Sequence, residues 1–142
     1  MNSEEIRQIA EDELEAQKQF THTIDVCVAA ACMSSGAEQV KNALSAQVKT
    51  HGQEQCCKVR GVGCMGLCKA GPLVQVHPDG VMYQNVKPED AGEIVEAVDK
   101  APVKRLELDT NIPFFKRQQK IVLENSGLID PERLEESLAA GG

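Results

Sequence analysis

Four of the six cysteines lie in two close pairs, and this arrangement limits the folds open to the chain more than any other feature. Cys27 and Cys32 are separated by Val-Ala-Ala-Ala, and Cys64 and Cys68 by Met-Gly-Leu. The stretch between the pairs is long enough for a helix and a strand. A fold that returns the chain to its starting point would therefore bring four thiolates together. Two pairs of thiolates match the ligand set of a [2Fe–2S] cluster, with two sulfurs for each iron.

Charge and terminal sequence exclude several other classes of function. The net charge of −7 does not favour binding to nucleic acid or to anionic lipid, and it fits better with partners that carry basic docking patches. The N-terminal residues lack the basic and apolar regions of a signal peptide, and no apolar run approaches the ~20 residues that cross a bilayer. We therefore expect a cytoplasmic chain without membrane insertion, in which cysteines serve as metal ligands or catalytic thiols.

The first part of the chain alternates between helical and strand patterns. Residues 3–20 carry apolar side chains at helical spacing, and residues 24–28 alternate in the manner of a strand. Cys27 therefore lies near the end of this strand. Small residues predict a loop over 29–36, and apolar spacing predicts a helix over 37–50 that ends at a glycine.

A second strand, a hairpin and another helix follow. Residues 56–62 form a strand pattern that leads into the second cysteine pair. Two short strands over 73–77 and 81–86 flank a Pro-Asp-Gly turn, which predicts a hairpin. Pro88 begins a helix at its first position, and Pro102 ends that helix.

This order predicts an α/β fold of the thioredoxin-like sandwich type. A β-α-β unit is followed by a β-hairpin and a closing helix. We divide the chain into an N-terminal helix over 1–21, a central domain over 22–101 that carries both cysteine pairs, and a C-terminal helical extension over 102–142.

The C-terminal extension has a different character from the central domain. Residues 103–110 predict a linker or a short edge segment. A helix is expected over 113–125 with Gly127 as its cap, and Asp130 is expected to be the N-cap of a last short helix. These segments carry too little apolar surface for a second core, so we expect them to be the opening of something larger.

Other uses of the cysteines fit less well or remain open. A plant-type ferredoxin would need a cysteine where Ser35 stands, and a Rieske centre would need two histidine ligands. A thioredoxin-type enzyme would need Cys-x-x-Cys on the first strand–helix turn, which is absent. A structural zinc site with four cysteines remains an alternative, as do disulfides or buried thiols.

Further residues carry expectations of their own. Cys56 and Cys57 are adjacent in a predicted strand, so one should be a core thiol and the other a surface thiol. The three histidines are expected to be structural or solvent-facing, and the adjacent Phe114 and Phe115 to be a packing anchor for downstream structure. Backbone N–H groups near the cysteine pairs are candidates to donate hydrogen bonds to the sulfurs. They belong to Ser34, Ser35, Gly63, Met65 and Gly66.

The charge of a bound cluster would shape its reduction potential. An oxidised cluster with four thiolates carries about −2, and reduction adds another negative charge. Because the protein is itself acidic, we expect a low potential, on the order of −400 mV.

The residues around the cysteines resemble those of a known family. The stretches CVAAACMSSG from Cys27 and VGCMGLCKAGPL from Val62 resemble the thioredoxin-like [2Fe–2S] ferredoxin domains, over about residues 22–100. Such domains occur in NADH dehydrogenases, NAD(P)-linked hydrogenases and NAD-linked formate dehydrogenases. The resemblance implies a set of four cluster ligands. These are Cys27, Cys32, Cys64 and Cys68.

The C-terminal extension resembles a different part of the same complexes. The stretch IPFFKRQQKIVLENSGLIDP from Ile112 is similar to the opening segment of their flavin- and NADH-binding (diaphorase) subunit. The resemblance implies that residues 102–142 are a linker and the start of a flavoprotein domain. It also implies that FMN and NAD(P) bind to a flavoprotein body that is absent here, so this fragment should not oxidise NADH by itself.

Taken together, these features predict a domain that transfers one electron at a time within an NAD(P)H oxidoreductase or hydrogenase complex. Its expected partners are the flavoprotein body, other iron–sulfur subunits or a soluble electron carrier. The alternative is a non-redox docking or assembly module with a structural zinc ion or a vestigial cluster.

Overall fold

A mixed four-stranded sheet lies at the centre of the computed structural model, which describes residues 2–142. The strands are β1 His22–Cys27, β2 Cys57–Val62, β3 Val74–His77 and β4 Val81–Tyr83, and their order in the sheet is β2-β1-β3-β4. β1 pairs with β2 in parallel and with β3 antiparallel, and β3 pairs with β4 antiparallel. The predicted hairpin is therefore β3–β4, joined by the Pro-Asp-Gly turn.

The helices complete the predicted thioredoxin-like arrangement. They are α1 Ser3–Gln17, α2 Ala30–Ser34, α3 Ala37–Thr50, α4 Ala91–Ala97, α5 Pro113–Lys116 and α6 Leu134–Ala139, with 3-10 turns at Cys68–Ala70 and Pro88–Asp90. Helix α3 connects the parallel strands β1 and β2, and α4 follows the hairpin and packs against α3. The predicted α/β fold class is confirmed. No helix within residues 2–142 combines the length and the apolar character needed to cross a membrane.

Helices α3 and α4 cover one face of the sheet with apolar side chains. Ile24 and Val26 of β1 are fully buried, and they share a core with Val40 and Leu44 of α3 and Ile94 of α4. Their spacing explains the burial, since alternate strand residues share a face and helix residues three or four apart share a stripe. Each such side chain contributes roughly 1.5–3 kcal/mol when fully buried.

Charged side chains lie on the other face. Asp25 of β1 and Arg60 of β2 are opposite each other in the parallel ladder, and the guanidinium donates two hydrogen bonds of 2.6 and 2.9 Å to the carboxylate. Glu136 of α6 accepts a third bond from Arg60 at 3.2 Å. Helix α6 packs against α1, where Arg133 donates to Glu13 at 2.8 Å. The C-terminal extension thus joins the N-terminal helix over this face.

The predicted loop over 29–36 is wrong, because this segment contains α2. The alanine-rich sequence favours a helix, since alanine loses the least free energy on helix formation. The hydroxyls of Ser34 and Ser35 donate to the carbonyls four residues earlier at 2.9 and 3.0 Å, which keeps these polar residues within the helical turn.

The predicted helix over 113–125 is also wrong beyond its first turn, since α5 ends at Lys116 and turns follow. An isolated helix of this length is marginal without a surface for its apolar face. Here Ile121, Val122 and Leu123 are 74%, 93% and 66% exposed, so no packing stabilises that face.

Two smaller expectations for the extension have different outcomes. The predicted edge segment over 103–110 is confirmed, because Leu108 donates to the carbonyl of Met82 at 2.7 Å beside β4. Asp130 is not a helix N-cap. Its carboxylate accepts from the N–H of Glu132 at 2.9 Å in a local turn, and α6 begins only at Leu134.

Candidate metal centre

Both cysteine pairs lie beyond the same edge of the sheet. Cys27 is the last residue of β1 and Cys32 lies in α2, which follows it. Cys64 follows the end of β2, and Cys68 opens the next 3-10 turn. Because β1 and β2 run in parallel, their carboxyl ends meet at one edge. The crossover through α3 therefore returns the chain to the first pair, as the spacing predicted.

The second pair, here called the outer pair, has its sulfurs close together near the surface. The Sγ atoms of Cys64 and Cys68 are 4.0 Å apart, Cys64 is half-buried and Cys68 is exposed. Two thiolates on one tetrahedral metal, each at about 2.3 Å, lie roughly 3.8 Å apart. The N–H of Gly66 points at the Cys64 sulfur at 3.3 Å. The outer pair is therefore spaced to share one metal ion.

The first pair, here called the inner pair, is buried. Cys27 and Cys32 are each 1% exposed. Burial and a hydrogen bond with the Cys27 thiol raise the pKa of Cys32 to about 12, although the Leu73 N–H lowers it. Without a cation the Cys32 thiol stays protonated at neutral pH. A bound metal ion reverses this preference, because a coordinating thiol is deprotonated outright.

The two pairs also interact with each other. The charge of Cys68 contributes to the raised pKa of Cys32. The pKa of Cys68 is itself raised, first by its hydrogen bond with Cys64 and by the Cys64 charge, and further by burial and the Cys27 charge. The four sulfurs thus form one electrostatic group at the end of β1 and β2. Their thiolate forms would repel one another, and a cationic centre among them would offset that repulsion.

A glycine makes room for the inner sulfur. A Cβ on Gly71 would lie 2.9 Å from the Sγ of Cys32 and 3.3 Å from the carbonyl oxygen of Cys68. A larger residue would displace the Cys32 sulfur or the Cys68 carbonyl. The backbone at Gly71 therefore packs closely against one cysteine from each pair. This donor set and this close backbone approach fit a cluster ligated by four thiolates.

Sequence reasoning did not single out Gly71 or the N–H of Leu73 as parts of the site. A signal was present, since a Gly-Pro pair three residues after the last cysteine marks a turn beside the predicted ligands. That signal does not identify Cys32 as the residue that packs against Gly71. Cys32 lies far from Gly71 in sequence and reaches it only through the fold.

The expected hydrogen bonds to sulfur are confirmed in part. Gly66 donates to the Cys64 sulfur as predicted. The predictions for Ser35 and Gly63 are wrong, because their N–H groups donate to the carbonyls of Cys32 and Ile129. Both N–H groups are thus paired with backbone carbonyls, one within its own turn and one across to the C-terminal extension. For Ser34 and Met65 the proposed donation stays a prediction.

The remaining cysteines and the histidines lie in other surroundings. Cys57 is buried and Cys56 exposed, which confirms the predicted core and surface thiols, and burial first of all raises the pKa of Cys57 to about 11. All six cysteines are free. His22, His51 and His77 each lie within 3.5 Å of a carboxylate, in a structural setting as predicted.

Among residues 2–142, no three His, Cys, Asp or Glu side chains surround a single point closely enough to hold one metal ion. A [2Fe–2S] cluster has a different requirement, with two thiolates on each of two irons. The grouping of the sulfurs as two pairs corresponds to that requirement.

Comparison with known proteins gives consistent matches for the cysteine-bearing domain. The family model described as thioredoxin-like [2Fe–2S] ferredoxin matches residues 5–99. A curated 2Fe–2S ferredoxin of Aquifex aeolicus is 40% identical over 85 residues, which cover 58% of this chain and 77% of that protein. A 2Fe–2S ferredoxin of Clostridium pasteurianum is 33% identical over 66 residues, which cover 46% of this chain and 65% of that protein.

A solved structure matches the fold as well. The crystal structure of the wild-type thioredoxin-like [2Fe–2S] ferredoxin from Aquifex aeolicus has a TM-score of 0.57 and 33% sequence identity to this chain. The alignment covers 98% of that protein and 63% of this chain. The similarity therefore spans a whole ferredoxin, and much of the present chain has no counterpart in it.

Proposed function

Because this chain belongs to the thioredoxin-like [2Fe–2S] ferredoxin family, we propose that it binds a [2Fe–2S] cluster and transfers one electron at a time. The ligands are Cys27, Cys32, Cys64 and Cys68. The observation that carries the proposal is the grouping of these four sulfurs at one sheet edge, with the outer pair 4.0 Å apart. The reaction needs no acid or base from the protein.

The protein's part in this function is to hold the centre and to set its surroundings. The inner pair fixes one side of the site inside the core, whereas Cys68 reaches the surface where a redox partner can approach. A bound cluster accepts or donates a single electron, and no covalent bond to the protein changes. The electron donor or acceptor is a reduced or oxidised flavin, or a second iron–sulfur centre.

The surroundings favour a low reduction potential. Reduction adds a negative charge to a centre that already carries about −2. The protein carries a net charge of −7, which opposes that addition. The N–H of Gly66 acts in the opposite direction, because a hydrogen bond to sulfur stabilises the reduced form. The proposed potential remains on the order of −400 mV, the plant-type value.

We also propose a finer context for the chain. The resemblance of the stretch from Ile112 to the opening of a diaphorase subunit supports a place in a cytoplasmic NADH dehydrogenase or NAD(P)-linked hydrogenase complex. In that setting residues 102–142 lead into a flavoprotein body that binds FMN and NAD(P). The partners are then this body, other iron–sulfur subunits or a soluble electron carrier.

Anaerobic purification with absorption spectroscopy and metal analysis tests the proposal. We expect brown protein that contains iron and sulfide in equal amounts and gives a rhombic EPR signal after reduction with dithionite. Colourless protein with bound zinc would contradict electron transfer and support the docking module instead.

A pair of cysteine variants tests the ligand set. Cys64→Ser should lose or strongly alter the cluster, because a hydroxyl is a far poorer ligand for iron than a thiolate. Cys57→Ser is the matched control, since this thiol lies at the start of β2, at the opposite end of the strand from Cys64. Its absorption spectrum should equal that of the wild type. A bleached Cys57→Ser protein would show that the ligand assignment is wrong.

A further inference from the structure

The C-terminal extension returns to the loop that carries the outer pair. The hydroxyl of Ser126 donates to the carbonyl oxygen of Cys64 at 2.8 Å. The carbonyl of Ile129 accepts from the N–H of Gly63 at 3.2 Å. Residues 126–129, here called the strap, thus make one hydrogen bond to Cys64 and another to the residue before it.

The middle of the strap fits closely against the same loop. Gly127 is buried and has a φ of +85°, a conformation that favours glycine. A Cβ at this position would lie 3.2 Å from the Cα of Met65 and 3.3 Å from the carbonyl oxygen of Cys64. Both the backbone conformation and the space therefore require glycine here.

Charged groups of the sheet and of α6 hold the strap in place. The carbonyl of Leu128 accepts from Arg60 at 3.0 Å, and the N–H of Asp130 donates to Glu136 at 2.8 Å. Glu136 is 1% exposed and also accepts from Arg60 at 3.2 Å. Since Arg60 is bonded to the buried Asp25, the strap is connected to the centre of the sheet.

An aromatic pair lies at another point of the loop. A Cβ on Gly66 would be 3.9 Å from Cε1 of Phe114, and Phe114 packs edge-to-face on Phe115 with ring centroids 5.1 Å apart. Phe114 therefore lies beside the outer cysteine loop, which precedes it in sequence, whereas the expected anchor was for downstream structure. The extension contacts this loop both before and after Met65.

The strap lies beyond the part of the chain that defines the family. The family match ends at residue 99, and the aligned Aquifex ferredoxin accounts for 63% of this chain. We infer that the strap is a positioning segment for the outer ligand loop, one that fixes Cys64 and covers its side of the centre while Cys68 stays exposed. This inference rests on the proposed function.

Two physical effects follow from this arrangement. Hydrogen bonds at Gly63 and Cys64 restrict the loop, so they would hold the Cys64 sulfur in the position that a metal ligand needs and would slow the loss of bound iron. The strap also limits solvent on one side, and solvent exposure and nearby dipoles both set the potential and the electronic signature of such a centre.

Two glycine variants test the inference in the full chain. Gly127→Ala forces a side chain between the strap and the loop. Gly141→Ala is the matched control, because its φ of +91° imposes the same backbone strain in the same extension while its Cβ would meet nothing within 4 Å. We expect Gly127→Ala to lose iron to a chelator about tenfold faster than the wild type, in the range typical when an outer hydrogen bond is lost. Gly141→Ala should retain the wild-type rate.

Hydrogen exchange of the metal-free protein gives a second measurement, independent of the cluster. The amide of Gly63 should lose protection in Gly127→Ala, because its acceptor on Ile129 moves away. The amides of β1 should stay protected in both variants, which separates a local release of the strap from general unfolding.

A milder variant covers the case in which Gly127→Ala fails to fold. Ser126→Ala removes one hydroxyl, and Ser45→Ala is its control, since that hydroxyl donates to the carbonyl of Lys41 within α3 at 2.9 Å. Ser126→Ala should shift the EPR g-values and the reduction potential at an unchanged unfolding midpoint. Ser45→Ala should leave both spectroscopic quantities unchanged.

The outcomes separate failure of this inference from failure of the proposed function. If the wild-type chain assembles no iron–sulfur cluster, the proposed function fails and the positioning role fails with it. If the wild type holds a cluster but Gly127→Ala and Ser126→Ala match their controls in iron loss and EPR signal, only the positioning role is overturned.

Discussion

One face of the central sheet is covered by apolar helix surfaces, whereas the other is covered by charged side chains that belong to distant parts of the sequence. On the first face, Leu44 of α3 and Ile94 of α4 pack on the apolar side chains of β1. On the second, Asp25 and Arg60 form a buried ion pair that also bonds Glu136 of α6. Asp25 and Glu136 are as fully buried as Leu44 and Ile94, but by different interactions.

This difference gives the two faces different roles: one mainly stabilises the fold, and the other determines where the C-terminal extension lies. Apolar contacts stabilise without regard to direction, so many arrangements of α3 and α4 would bury a similar area. Hydrogen-bonded charges require particular partners at particular angles, and a buried ion pair often adds little net stability over apolar residues of equal size. The charged face is therefore suited to fixing where the extension lies, and with it the strap beside Cys64.

The largest effect is expected from breaking the charged face. Arg60→Met removes the guanidinium that pairs with Asp25, whose side chain is fully buried, and leaves that carboxylate beside the His77 ring at 3.4 Å. An unpaired buried charge costs about 3–5 kcal/mol. Urea unfolding followed by far-UV circular dichroism should show a loss of this size in the free energy of unfolding.

A surface ion pair provides the control for this variant. Lys104→Met removes the partner of Glu107, but the lysine side chain is 78% exposed. The free energy of unfolding should change by less than about 0.5 kcal/mol. If Arg60→Met were no more harmful than Lys104→Met, the charged face would not position the extension in the way described.

A smaller loss is expected from the apolar face. Leu44→Ala removes a fully buried side chain between α3 and the sheet, at a cost of about 3 kcal/mol. Leu123→Ala makes the same chemical change at a side chain that is 66% exposed, and it should change stability by less than about 0.5 kcal/mol. Equal effects of the two substitutions in urea unfolding would mean that the α3 face does not dominate the core.

Much of the central domain could be predicted because its signals are local. Local patterns predict which side of each element faces the core. They are the alternation around Ile24 and Val26 and the helical spacing of Val40 and Leu44. The cysteine spacing predicted that the two pairs meet, because both pairs lie at or after the carboxyl ends of the neighbouring parallel strands β1 and β2. The hairpin follows from a local pattern as well, the Pro-Asp-Gly turn between two short strands, whereas the strand order was not predicted.

The extension could not be predicted in the same way, since contacts with distant residues decide its structure. The helix expected over 113–125 stops at Lys116, and Ile121, Val122 and Leu123 beyond it are exposed instead of packed on an apolar surface. The hydrogen bond from Ser126 to Cys64 joins residues 62 positions apart, and no local pattern predicts it. The ion pair of Asp25 with Arg60 likewise depends on the register of β1 against β2, which no local pattern specifies.

The smallest effect concerns Asp90, a charged group buried at the start of α4 on the apolar side. Its carboxylate accepts from the N–H of Lys87 at 2.8 Å and from Arg105 at 2.7 Å. Burial alone would raise its pKa, but the Arg105 bond and the Lys87 bond outweigh it and hold the pKa of Asp90 below the ordinary 3.8. A carboxyl with a lowered folded-state pKa stabilises the protein when ionised.

Asp90→Asn should therefore lower the free energy of unfolding by about 1 kcal/mol at neutral pH, the usual cost of a lost helix-start bond. The difference from the wild type should be complete above the ordinary carboxyl pKa of 3.8 and should disappear as the pH falls through the lower pKa of the folded state. Urea unfolding at a series of pH values measures it. If this difference in the free energy of unfolding stayed constant through the acid range, the lost contact would act through packing and not through charge. Asp90 would then contribute no pH-dependent stability on the apolar side of the sheet.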